Sequence, residues 1–205
     1  MVRDGIYYAA ALTAAGGVVS YLTYPAFGAP LYLLAAFCLY FFRDPERSPS
    51  AGPVAVSPAD GKIVAIRRGE AGQAHVSIFL NIFDVHVNRS PIAGTITDVR
   101  YRRGRFLAAN REEASSQNEQ NSVTVEGNGT RVVFHQIAGL IARRVVFYKK
   151  PGDVVALGQR VGLIKFGSRV DVFLGPEWEL AIHEGDKVKA GASVLARRRE
   201  TGVTK

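Results

Sequence analysis

The sequence predicts a mainly β protein: a sandwich or barrel-like domain preceded by an N-terminal hydrophobic helical hairpin. Three observations predict it. Residues 6–42 hold no charged side chain. Beyond residue 58, short β-branched runs recur between Gly, Pro and Asn turns. Two later segments repeat a Gly-Asp-x-Val pattern. The chain has 205 residues, 47% of them hydrophobic, which suits one domain or two small ones with a buried core and excludes a disordered or collagen-like chain.

The apolar run is long enough for the bilayer, which about 20 such residues cross. It has room for two short passes, broken at Tyr24-Pro25 and at Gly28-Ala29-Pro30. Tyr7, Tyr8, Tyr21, Tyr24, Tyr32 and Tyr40 suit a membrane interface. Arg3 flanks one end and Arg43 and Arg47 the other, which favours a hairpin with both ends in the cytoplasm. A cleaved signal peptide is not expected, because the run continues straight into Tyr40-Phe41-Phe42. The expected organisation is a membrane-associating segment at 1–42, a proline-bearing linker at 43–58 and a β-rich catalytic domain at 59–205.

In the β part, strands are expected at 62–67, 76–81, 94–100, 122–126, 130–135, 141–148, 160–165, 170–174 and 193–197. Gly127-Asn128-Gly129 marks a hairpin. Residues 108–121 are polar and unpatterned, a loop with a helical turn at 111–114. The look-alike segments, 150–158 and 183–191, each run from a Gly-Asp turn through a short strand to a Gly turn, as lipoyl-like β-hairpins do.

With 26 Lys and Arg against 18 Asp and Glu, the net charge is +8, so an anionic partner is expected. A nucleic acid is disfavoured, because no helix-turn-helix, zinc-finger or ribonucleoprotein pattern is present. An anionic membrane surface fits a basic domain tethered to a bilayer. The single Cys38 excludes internal disulfides, and four scattered histidines predict no metal site. There is no GxSxG elbow and no phosphate-binding loop.

Four stretches carry candidate chemistry: SPADGK at 57–62 with Asp60, residues 81–91 with His86, HQIAGLIARR at 135–144 with His135, Arg143 and Arg144, and KFGSRVDVFL at 165–174 with Gly167, Ser168 and Arg169. Singly, each has a plain structural reading as a turn, a core histidine, a solvated basic edge or a bulge. Together with FFRDPER at 41–47, and in this order behind an apolar N-terminus, they form a specific pattern.

In these segments the chain resembles the short-form phosphatidylserine decarboxylase proenzymes, whose archaeal counterparts act on archaetidylserine. The resemblance implies self-cleavage at Gly167–Ser168 into a β chain of residues 1–167 and an α chain of residues 168–205, which stay together as one enzyme. It implies a covalent pyruvoyl cofactor made from Ser168, which forms a Schiff base with the serine amine of phosphatidylserine and draws off the electrons left by decarboxylation, as pyridoxal phosphate does elsewhere. Asp60 and His86 are carried over as the residues that assist. The longer bacterial form has two histidines three residues apart; here Arg89 stands where the second would fall. The resemblance therefore leaves His86 to serve both steps, or His135 to supply one. Arg143, Arg144 and Arg169 are candidates for the lipid phosphate or carboxylate. The expected location is the cytoplasmic face of the cell membrane, and a homo-oligomer would cover open sheet edges. Two other classes stay open: a non-catalytic, membrane-tethered lipoyl-like adaptor, and a serine hydrolase using Ser168. Both predict an unbroken chain on a denaturing gel.

Overall fold

A computed structural model describes residues 1–107, 113–139, 144–165 and 168–199. The chain divides into two compact units, residues 1–46 and 47–205. Gly167 and Arg143 lie outside the described residues.

The first unit is a pair of helices, α1 (Arg3–Leu22) and α2 (Pro25–Phe41). Pro25 opens α2 at a position where its missing N–H costs nothing. The two ends of the hairpin are tied by Val2 N donating to the Phe42 carbonyl at 3.0 Å. Gly28 lets the helices close up, since a Cβ there would stand 2.6 Å from the Gly16 carbonyl oxygen. At about 1.5 Å per residue the 20 residues of α1 span about 30 Å, a bilayer's apolar thickness. Tyr21, Leu22, Phe27 and Leu33 are exposed.

The second unit is almost all antiparallel β. Its strands are β1 (Val54–Val56), β2 (Gly61–Arg68), β3 (Ala74–Leu80), β4 (Val87–Arg89), β5 (Gly94–Arg102), β6 (Gln120–Gly127), β7 (Thr130–Ala138), β8 (Arg144–Phe147), β9 (Val154–Val155), β10 (Arg160–Lys165), β11 (Ser168–Leu174), β12 (Trp178–Leu180), β13 (Lys187–Val188) and β14 (Val194–Arg198). They form an eight-stranded curled sheet, β13-β2-β3-β11-β7-β6-β5-β9, and two three-stranded sheets, β4-β10-β8 and β1-β14-β12. The core is built from side chains such as Ile63, Ile78, Val123, Phe134, Ile164 and Leu195. The expected β6–β7 hairpin is present, and Asn128 (φ 52°) and Gly129 (φ 69°) give its two-residue loop the twist that matches the strands.

Several features differ from the expectation, among them α2 running unbroken through Gly28-Ala29-Pro30. Part of the expected linker is structured: β1 pairs with β14, and Ala55 and Val56 are fully buried. In the polar loop, a one-turn helix α3 occupies Ala114–Gln117, just after the turn expected at 111–114. Strands of two or three residues, such as β1, β4 and β12, are too short to show alternation.

The look-alike segments are half of a larger internal repeat. VAVSPADGKI at 54–63 and VNRSPIAGTI at 87–96 occupy matching corners. The corners bond reciprocally: Val56 N donates to the Pro91 carbonyl and Arg89 N to the Pro58 carbonyl, both at 2.9 Å. Gly191 N donates to the Ser57 carbonyl and Gly158 N to the Ser90 carbonyl in the same matched way. The short strands β13 and β9 cap the two opposite edges of the large sheet.

Candidate active site

One end of the central sheet holds Ser168 and the corner that follows Asp60. There β2 begins at Gly61, β3 ends at Leu80, β11 begins at Ser168 and β7 ends at Ala138. Ser168 pairs with Leu80 on one side and Ala138 on the other. Gly61 closes the corner: its φ is 146°, and a Cβ there would stand 2.2 Å from the Phe79 carbonyl oxygen. Strand alternation puts Ser168 on the core side with Val170, Val172 and Leu174. Ser168 is fully buried, and among the described residues its Oγ has no hydrogen-bond partner. A buried hydroxyl without a partner costs about 1–3 kcal/mol.

His86 follows a turn in which Asn81 N donates to Asp84 Oδ2 at 2.8 Å and Phe83 N to Asn81 Oδ1 at 2.7 Å. It is fully buried, and its carbonyl accepts from Ile164 N at 3.2 Å, near the end of the strand that leads to Ser168. Nδ1 lies 2.9 Å from the Asp84 carbonyl oxygen. A carbonyl only accepts, so Nδ1 carries a proton, which makes Nε2 the nitrogen that would act as the base when the ring is neutral.

Asp60 is buried and held from two sides. Arg47 forks onto its carboxylate, with one contact at 2.8 Å, and Ala190 N donates to Oδ1 at 2.9 Å. The same guanidinium donates to the Ala190 carbonyl at 3.0 Å. Arg47 was legible in the sequence only as part of FFRDPER and as a flanking charge. Arg89 is buried and donates to the Gly158 carbonyl at 3.2 Å.

A family model described as phosphatidylserine decarboxylase matches residues 34–196. The chain belongs to the phosphatidylserine decarboxylase family. A phosphatidylserine decarboxylase proenzyme of Solibacter usitatus is 64% identical over 198 residues, covering 97% of each chain. One from Desulfotalea psychrophila is 46% identical over 176 residues, 82% of each chain. One from Magnetococcus marinus is 45% identical over 175 residues, 82% of this chain and 80% of its own. Asp60, His86 and Ser168 all fall inside the family match.

Other candidates lie elsewhere in this family member. His135 pairs in register with Asp171, which puts it on the sheet face opposite the Ser168 side chain. Its ring lies 4.7 Å from that of Phe173. Burial lowers its pKa, against the pull of the nearby Asp171 charge. The structure thus does not bring His135 to Ser168. Arg169 points to the same outer face, where Nε donates to Asp171 Oδ1 at 2.6 Å and a terminal nitrogen donates to Ser77 Oγ at 2.6 Å. Asp171 also meets His75 Nε2 at 3.1 Å. Burial alone would raise the Asp171 pKa; His75 and Arg169 outweigh it and lower it from 3.8 to about 2. Ser77, His75 and Asp171 are not a nucleophilic triad, because a single nitrogen, His75 Nε2, faces both partners. Arg144 is exposed and pairs with Lys165, just ahead of the Gly167–Ser168 bond.

Proposed function

We propose that the chain is a self-processing decarboxylase that cuts itself between Gly167 and Ser168 and then converts phosphatidylserine to phosphatidylethanolamine and carbon dioxide. The observation that carries this reading is the buried Ser168 Oγ, without a hydrogen-bond partner among the described residues, at the head of a central strand. The Ser168 hydroxyl adds to the Gly167 carbonyl carbon, the peptide C–N bond breaks, and an ester forms to Oγ. A base then removes the Ser168 Cα proton, and the Gly167 carboxylate leaves from Cβ with the bonding electrons. The resulting dehydroalanine tautomerises to an imine. Water replaces its nitrogen, which departs as ammonia, and a pyruvoyl group heads the α chain.

The position suits such a group, because it is fully buried on the core face of β11 beside Val170 and Val172 in the strand's alternation. Once formed, the group supplies the electron sink that decarboxylation at an α-amino carbon needs. His86, with Nε2 basic, is assigned the proton transfers. Asp60, clamped by Arg47, fixes the corner from which β2 starts. Arg144, with Arg143 beside it in sequence, is assigned to the lipid phosphate or carboxylate. The apolar helices α1 and α2 anchor the chain to the cytoplasmic face of the cell membrane.

Intact mass decides the matter. Wild-type protein should give residues 1–167 and an α chain lighter than residues 168–205 by one ammonia. Ser168→Ala should give one full-length mass and no phosphatidylserine turnover. An active wild-type sample of one unbroken mass overturns the proposal.

A further inference from the structure

Among the buried polar groups of the second unit, three amide side chains form one hydrogen-bonded line. Asn121 on β6 donates through Nδ2 to Gln136 Oε1 at 3.2 Å. Gln136 on β7 donates through Nε2 to Asn88 Oδ1 at 2.9 Å. Asn88 on β4 donates through Nδ2 to the Pro58 carbonyl at 3.4 Å, the oxygen that also accepts Arg89 N. Asn88 and Gln136 are fully buried and Asn121 nearly so. Every donor in the line points the same way, toward the segment that carries Asp60.

The line touches all three parts of the site. Gln136 pairs with Val170, so its side chain lies on the Ser168 face of the sheet, one pleat repeat (about 7 Å) along the strand. Asn88 stands two residues after His86, and Pro58 two before Asp60. Gly162 on β10 opens the passage between the sheets: a Cβ there would stand 2.7 Å from Gln136 Nε2. A satisfied amide chain in an apolar core admits one register of the sheets it joins and penalises the others.

Building on the self-cleavage reading above, we propose that Gln136 is a positioning residue for that step, which through Asn88 sets the His86 strand against the Ser168 strand. Gln136→Met keeps the side chain's length and removes both bonds. The test follows newly translated full-length protein in time and measures the appearance of the 168–205 fragment. Gln136→Met should cleave at least tenfold more slowly than wild type. Val125→Ala, a cavity in β6 that lowers the melting temperature comparably, should cleave within threefold of wild type. Asn88→Ala should show the Gln136→Met defect, and the double variant should be no slower than either single one, because both break the same link.

Gln136→Met cleaving at the wild-type rate, Val125→Ala cleaving as slowly as Gln136→Met, or multiplying defects in the double variant would each overturn the proposal. If Gln136→Met does not fold, Asn88→Ala is read against Val125→Ala by the same criterion. Wild type run in parallel separates the two ideas, since an uncleaved wild type removes the self-cleavage reading itself.

Discussion

Replacing Asp171 by Asn should cost stability in a way that depends on pH. Its side chain is 1% exposed and that of its partner Arg169 is 4% exposed. Stranding one member of a buried pair costs about 3–5 kcal/mol. Asparagine retains an acceptor for Arg169 Nε, so about 3 kcal/mol is expected at pH 7. The wild-type carboxyl has its pKa depressed from 3.8 to about 2 in the folded chain. At about 1.4 kcal/mol per pH unit this corresponds to about 2 kcal/mol of stability, fully present above pH 5 and lost as the pH falls toward 2. The variant has no such carboxylate, so the gap between the two proteins should shrink from about 3 to about 1 kcal/mol near pH 2. Urea unfolding in detergent, read by the single tryptophan, the buried Trp178, measures it. A Ser168→Ala background, in which the proposed cleavage would not occur, keeps the comparison to one chain. A loss under about 1 kcal/mol at pH 7, or an equal gap at both pH values, would refute the reasoning.

Three further outcomes are expected. His86→Ala should slow self-cleavage by about 10²–10⁴, the usual worth of a general base, while His135→Ala stays within threefold of wild type because its ring lies on the far sheet face; a timed gel reads both. Arg47→Ala should slow cleavage at least tenfold by releasing the Asp60 carboxylate, and Arg47→Lys, which cannot fork, should recover only part of the rate on the same gel. Leu22→Asp with Leu33→Asp should abolish co-sedimentation with anionic vesicles, since two charges at bilayer depth cost about 5 kcal/mol and both positions are exposed, leaving folding intact.

What could be read from the sequence follows from how locally each feature is encoded. The hairpin loop declared itself because Asn-Gly supplies positive φ at two adjacent positions. The helical pair was visible as an absence of charge over residues 6–42. Asp60, His86 and Ser168 were legible through their motifs, each a run of neighbours in sequence. Arg47 was not, because its bond to Asp60 depends on where β1 and the Ala190 loop fold. The same holds for Gln136 and Asn88, whose partner lies across two sheets. His135 illustrates the opposite case. Its motif reaches the site, since Ala138 pairs with Ser168, yet the period of two in β7 sends His135 to the other face. The repeat shared by the 54–63 and 87–96 segments became visible once their corners were seen to bond reciprocally.

The place of Ser168 in the sheet explains how the fold would survive the proposed cleavage. β11 is an inner strand, with seven-residue antiparallel ladders to β3 and to β7. Cutting before its first residue breaks a covalent link without exposing a sheet edge. The proposed new terminus would be held further by Arg169 on Ser77 and by Asp171 on His75, both contacts across the cut and within four residues of it. The rest of the α chain is interleaved: β13 caps β2, and β14 sits between β1 and β12. On an edge strand, the same hydroxyl would free a terminus able to peel away and carry the reactive group into water. The internal repeat has two matching corners, yet the acidic residue stands in one alone, Asp60, with Ala93 at the equivalent place. The duplicated scaffold therefore supplies the rigidity, and the difference between its halves gives one corner alone the Asp60–Arg47 clamp.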